Sequence, residues 1–181
     1  MMMYPELFPE SARYCYVRTD SSYTDLANFE ELAAEEKSLV SQAVDVRKAE
    51  FGDARWCAHR ALQELGASPA TPILRGERGM PLWPEGFVGS MTHTEGMRAA
   101  VVAPTSALKS VGLDAEPAEP LPDHVLTMIA RAGEMPQLLR LREAGITCPD
   151  RLLFCAKEAT YKSWFPMTFR WLDFDLSLIH I

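Results

Sequence analysis

Four side chains in two short stretches carry the chemistry open to this chain: Asp114, Glu116, Glu158 and Lys162. Asp114 and Glu116 stand two apart at the end of residues 110–117, SVGLDAEP. Val111 and Leu113 suit a buried strand there, so the two carboxylates share one face. Glu158 and Lys162 stand four apart in residues 151–166, RLLFCAKEATYKSWFP, one helical turn from each other. In that stretch Leu153, Ala156, Thr160 and Trp164 recur at helical spacing and predict one buried stripe. Pro149 and Asp150 precede the helix, and Pro166 is expected to end it. A helix crossing the end of such a strand would gather three carboxylates and one ammonium. That is a site for a hard divalent cation with an anionic ligand beside it. Either half alone also describes an ordinary strand end or an ordinary helix-surface ion pair, so the pairing carries the argument.

Basic residues offer an anion a second address. Arg47, Lys48, Arg55, His59 and Arg60 surround a helix junction, which by itself describes ordinary surface charge. Arg75 and Arg78 lie in RGERGMP, residues 75–81, where flanking glycines let backbone and guanidinium groups approach a phosphate. His93 sits at a hairpin turn with Ser90 and Thr92 nearby, a position where a single histidine is commonly structural. Cys155 lies one turn before Glu158 with no partner histidine placed by motif, and reads as a packing residue. Phe154, Tyr161, Trp164 and Phe165 read as core rather than site.

The elements that must position these residues follow from the apolar pattern. A short strand is expected over 14–17, and one or two helices over 26–50, with the acids at 30, 31, 35 and 36 forming a solvated face. A helix over 53–65 is capped by Asp53 and ended by Gly66. Residues 67–84 hold four prolines and read as loop. Residues 87–102 read as strand, turn at Glu95-Gly96, and strand. A third strand is expected over 108–116, then a Pro-rich corner over 117–122. A helical pair broken near Gly133 and Pro136 precedes the Glu158 helix, and a short tail follows Trp171.

Composition narrows the class. The chain has 181 residues, room for one large domain or two small lobes, and 48% of them are hydrophobic, which argues against disorder. Its net charge is −7, whereas a general nucleic-acid binder is usually basic. Cysteines at 15, 57, 148 and 155 form no CxxC pair, so neither a zinc site nor a disulfide framework is expected. The start lacks the pattern of a signal peptide, and no stretch approaches the ~20 apolar residues of a membrane span. These features lead us to expect a cytoplasmic protein.

Taken together, V-G-L-D-A-E at 111–116, F-C-A-K-E-A at 154–159 and Lys162 resemble the two-part signature of the 4′-phosphopantetheinyl transferases of the surfactin/enterobactin type. The resemblance extends upstream to R-x-x-x-F-x-x-x-R at 47–55, the loop before G-x-P at 75–81 and S-x-T-H at 90–93. It also covers K-S-W-F-P at 162–166 and Arg170-Trp171. It is closest to the variant serving carrier proteins of fatty-acid, polyketide and peptide synthases.

That resemblance implies an α+β fold of two similar α/β lobes, related by a pseudo-twofold, with the cofactor site between them. Residues 1–106 would hold the nucleotide end of coenzyme A, and residues 107–181 the metal and the catalytic helix, the second lobe being incomplete at its end. The implied reaction moves 4′-phosphopantetheine from coenzyme A to a serine of an acyl or peptidyl carrier protein, with Mg²⁺, leaving adenosine 3′,5′-bisphosphate. By matching position, Asp114, Glu116 and Glu158 would hold the metal with the Ala115 carbonyl or a water. Arg47, Arg55, Arg75 and His93 would meet the 3′-phosphate and adenosine end. Gly76, Glu77, Arg78 and Thr92 would line the nucleotide, Lys162 would meet the pyrophosphate, and Trp171 would flank the pantetheine arm. Glu158, or a water held by Glu116 or Glu158, would be the base. Arg75 stands where the resemblance also admits Lys, a change that keeps the charge but not the shape. The chain is expected to act as a monomer, with no nucleic acid and no membrane span. Two alternatives keep the same residues: a catalytically incomplete coenzyme A-binding module, and an Mg²⁺-dependent hydrolase of nucleotide anhydrides.

Overall fold

The computed structural model describes residues 7–20, 24–68 and 71–172, and the tail expected after Trp171 lies largely outside them. In chain order the elements are β1 (Arg13–Arg18), α1 (Ala27–Glu30), α2 (Ala34–Ser38), α3 (Asp45–Glu64), β2 (Leu74–Arg75), β3 (Pro81–Leu82), β4 (Phe87–Thr94), β5 (Met97–Pro104), α4 (Val125–Ile129), α5 (Met135–Glu143) and α6 (Pro149–Thr168). The fold is α+β. Its main sheet has the antiparallel order β1-β5-β4, and β2 pairs with β3 in a separate hairpin.

The central strand explains the layering. Residues 98–103 of β5 are all buried, which a strand with both faces covered requires. Ala100 and Val102 face α3 and pack with Cys57, Ala58, Ala61, Leu62 and Ile73. Val101 and Ala103 face the other way, onto Ala12, Leu108, Val111 and Leu113. The β4–β5 hairpin turns at Glu95-Gly96 as expected, with Gly96 at φ 73°, where glycine carries no Cβ penalty.

Several expectations change. Helix α3 is continuous from Asp45, so Asp53 does not cap it. Asp53 is 1% exposed and accepts a hydrogen bond from Asn28 Nδ2 at 2.7 Å. Helix α3 passes Gly52 against the chain at Phe29, where a Cβ would stand 2.6 Å from the Phe29 nitrogen. The acids of α1 and α2 do not all face water, because Glu36 is buried. Residues 108–116 run extended but join no ladder, so the third strand does not form. Among the described residues the C-terminal half is helical, and its likeness to the sheet-bearing N-terminal half is not visible.

Helix α6 runs past Pro166 to Thr168 and stops at Phe169, which is left-handed at φ 53°. Pro166 removes the donor for the Lys162 carbonyl and crowds it, but with two helical residues left after it the helix is near its end in any case. The predicted apolar stripe is also displaced. Leu153 is buried, but Ala156 and Trp164 are exposed. The buried residues of α6 are instead Pro149, Leu153, Lys157 and Phe165, which recur at multiples of four.

Candidate active site

Residues 110–116 lie antiparallel along α6. Ser110 Oγ donates to the Ser163 carbonyl at 2.7 Å, Gly112 touches the Ala159 backbone, Asp114 lies beside Cys155, and Glu116 Oε2 meets Arg151 Nη1 at 3.0 Å. The extended chain advances two residues, about 6.6–6.8 Å, for every four along the helix, about 6.0 Å. That match lets alternate residues of one element meet every turn of the other. It gives the V-G-L-D-A-E spacing a mechanical meaning without a sheet.

Asp114 is more enclosed than Glu116, their side chains 7% and 23% exposed. Its Oδ1 accepts from Lys162 Nζ at 2.6 Å and from Thr92 Oγ1 at 3.2 Å. The Thr92 hydroxyl also accepts from the Ala115 N–H at 3.2 Å, pinning the segment to β4. Asp114 Oδ2 is buried without a hydrogen-bond partner. Glu158 takes up its proton more readily than an ordinary glutamate, chiefly through burial and then through Asp114 and Glu116, with Lys162 opposing. Burial and the same two acids push the Cys155 thiol up to about 12, so it stays protonated and acts as packing.

Beside these acids lies a cleft of about 280 Å³. Residues 89–93 of edge strand β4 form its floor, α3 one wall and α6 the other. Residues Glu158, Tyr161, Lys162 and Phe165 recur at three and four and line it together, so Tyr161 and Phe165 belong to the site and not merely to the core. At the α3 end stand Arg47, Arg55, Arg75, Arg78 and His93, with Phe51 between Arg47 and Arg55 at i, i+4 and i+8.

The pleat of β4 sorts the two ends. Thr92 faces the Asp114 segment, and His93, one residue on, faces α3. His93 Nε2 lies 2.7 Å from Arg47 Nη1 and accepts its proton bond, since burial and Arg47 hold the imidazole below its usual pKa and so neutral. Glu50, absent from the sequence reading, meets Arg47 at 3.2 Å and His93 at 3.7 Å. Arg55 lies with its guanidinium 3.5 Å from the Phe51 ring centre. Burial, Arg75 and Arg47 pull its pKa down to about 10 against the lift from Glu36.

Other expected site residues lie at the margin. Gly76, Glu77, Asp114, Ala115, Glu116 and Trp171 do not line the cleft. Asp114 sits one layer back, behind Thr92 and Lys162, and Glu116 is held at 3.0 Å by Arg151, a partner the sequence did not single out. Trp171 stands at the rim, its ring 5.0 Å from the Arg78 guanidinium and 5.2 Å from the Tyr161 ring. Among the described residues no three His, Cys, Asp or Glu side chains are already gathered as a metal shell. The donor set still suits a hard cation: Asp114 and Glu116 stand close enough to raise the proton affinity of Glu158, and Asp114 Oδ2 is buried with no hydrogen-bond partner.

A cleft with a guanidinium cluster at one end and an acid–ammonium group at the other has the chemistry to hold an elongated phosphorylated ligand. Residues 35–103 match the model of the 4′-phosphopantetheinyl transferase N-terminal domain, and residues 110–181 that of the 4′-phosphopantetheinyl transferase superfamily. The chain is 50% identical over 141 residues to the 4′-phosphopantetheinyl transferase PptT of Mycobacterium tuberculosis, covering 78% of this chain and 61% of that one. It is 48% identical over 140 residues to Npt of Nocardia iowensis, covering 77% and 62%. It is 31% identical over 121 residues to enterobactin synthase component D of Salmonella typhi, covering 65% and 48%. This chain belongs to the 4′-phosphopantetheinyl transferase family. It spans about six-tenths of the length of its more similar curated relatives.

Proposed function

We propose that the chain transfers the 4′-phosphopantetheine group of coenzyme A to a serine hydroxyl of an acyl or peptidyl carrier protein, releasing adenosine 3′,5′-bisphosphate. One observation carries the reading: a single cleft has Arg47, Arg55, Arg75 and His93 at one end and Glu158 with Lys162 at the other. Coenzyme A has that shape of charge, a phosphate monoester at its nucleotide end and a pyrophosphate further along.

In the step, the serine oxygen bonds to the phosphorus on the pantetheine side. The anhydride P–O bond breaks, and its electron pair leaves with the bisphosphate. The serine proton passes to Glu158 or to a water that Glu116 or Glu158 holds, and the raised proton affinity of Glu158 suits a base. Lys162 offsets charge on the leaving phosphate. Asp114, Glu116 and Glu158, with the Ala115 carbonyl, are the oxygens that would hold Mg²⁺, which when bound neutralises phosphate charge. Arg78 and Thr92 line the nucleotide in this reading, Gly76 and Glu77 shape the loop that carries Arg78 without facing the cleft, and Trp171 flanks the arm from the rim. The division into lobes 1–106 and 107–181 is supported by the family matches, which part between residues 103 and 110. The same reading makes the protein a cytoplasmic monomer of two similar lobes; among the described residues no helix is long and apolar enough to cross a membrane.

A second reading, a module that binds coenzyme A without transfer, is favoured by the ion pairs that occupy Asp114 and Glu116. Mass spectrometry of an apo carrier protein incubated with coenzyme A and Mg²⁺ separates the two. A carrier heavier by one phosphopantetheine supports transfer. Protection against melting by coenzyme A with no such gain supports the binding module, and bisphosphate released without carrier supports an anhydride hydrolase.

A further inference from the structure

Helix α2 turns one carboxylate inward. Glu36 is 1% exposed, and three residues meet it. His59 Nε2 on α3 lies 3.0 and 3.1 Å from its two oxygens, the Ile73 N–H donates at 3.1 Å, and Arg55 Nε stands at 3.6 Å. A carboxylate is buried only where such partners offset its lost hydration. Two of the three lead to the cleft. Arg55 lines it and is itself 7% exposed, so Glu36 is the counter-charge that favours its ionised form against burial, Arg75 and Arg47. Ile73 stands directly before β2, which carries Arg75, so its bonded N–H fixes the base of that hairpin.

We propose that Glu36 is a positioning residue for the anion end of the cleft: it orients Arg55 and anchors the hairpin that presents Arg75, so that both guanidiniums meet the terminal phosphate monoester of the ligand. The inference rests on the reading of the cleft as a coenzyme A site, and it adds a residue that lines no part of that cleft. Glu36 reaches the ligand only through Arg55 and the β2 strand.

The test compares coenzyme A with 3′-dephospho-coenzyme A, which lacks only that monoester, by calorimetric titration of the full chain, with melting followed in parallel. Glu36→Gln keeps the size and an acceptor for Ile73 but removes the charge. It is expected to weaken coenzyme A about tenfold and the dephospho form less than twofold. Raised KM with unchanged kcat should accompany this. A merely structural role would lower the melting point and weaken both ligands alike. That outcome, with Arg55→Ala still selective for coenzyme A, overturns the role of Glu36 and leaves the site reading standing. If Arg55→Ala fails to discriminate, the site reading falls and the inference with it. Glu36→Asp serves should the glutamine variant not fold: it keeps the charge, shortens the reach, and should lose about threefold of the selectivity. Unchanged selectivity in that variant also overturns the proposal.

Discussion

Gly112 lies so close to Ala159 that a Cβ on it would stand 1.8 Å from the Ala159 carbonyl oxygen. No real Cβ takes that distance, so this contact sets how near the acidic segment comes to α6. It fixes in turn where Asp114 and Glu116 stand against Lys162 and Arg151.

Gly112→Ala is therefore expected to push the segment off the helix. The neighbour on the other side is backbone and cannot rotate away, so the cost should reach about 3 kcal/mol, the upper end for an overpacked site. For a chain of this size that lowers the melting temperature by roughly 6–12 °C. Differential scanning calorimetry measures it, and a shift under about 2 °C would show that the contact is not rigid.

Lys157, the residue before Glu158, is buried with Glu134 at 2.8 Å and donates to the Ile129 carbonyl at 2.6 Å. This pair holds the α4–α5 layer against the far side of the helix from the cleft. Lys157→Met removes the ammonium from the buried Glu134 carboxylate and the donor from the Ile129 carbonyl, and urea unfolding should show a loss of about 1–3 kcal/mol. Adding Glu134→Gln removes that charge and keeps an acceptor for the Arg131 N–H. The double variant should recover at least half the loss. No recovery would mean that packing, rather than the lost ion pair, carries the effect.

What the residue order made legible divides along physical lines. The hairpin at Glu95-Gly96 and the Glu158–Lys162 turn were readable because turn chemistry and helical period are local. The 108–116 segment was misread as a strand because an apolar alternation predicts an extended chain, not the neighbour it pairs with. Here the neighbour is a helix. Glu36 was misread because its burial depends on Arg55, His59 and Ile73, which lie 19 to 37 positions away. Tyr161 and Phe165 were assigned to the core because an aromatic wall of a cleft and an aromatic core share one helical spacing. The acids proposed to hold the metal are legible by type, but their ion pairs with Lys162 and Arg151 follow from tertiary placement alone.

Glu158→Gln should leave coenzyme A binding within about threefold and cut transfer by about 10²–10⁴, the range for a lost general base. In the metal-free chain burial and the neighbouring acids raise the Glu158 pKa. A carboxylate whose folded pKa is raised binds its proton more tightly when folded, so its ionisation at neutral pH disfavours folding. The glutamine variant should therefore melt slightly higher than wild type at pH 7. Undiminished turnover would remove Glu158 from the base role.

Asp114 is the acid at which an ammonium and a divalent cation would compete. Lys162 already holds Oδ1 at 2.6 Å, while Oδ2 is buried and unbonded. If Mg²⁺ binds here, tenfold excess over its dissociation constant should stabilise the chain by about 1.4 kcal/mol, visible as a melting shift of roughly 3–6 °C. Asp114→Asn should abolish that shift. Lys162→Met makes the sharper test, because it removes the competing cation and a catalytic group at once. It should increase the Mg²⁺ shift while transfer collapses, since an acid freed of its ammonium binds metal better but the leaving phosphate loses its own counter-charge. A smaller Mg²⁺ shift in Lys162→Met would mean that the lysine organises the acids for the metal instead of competing for them.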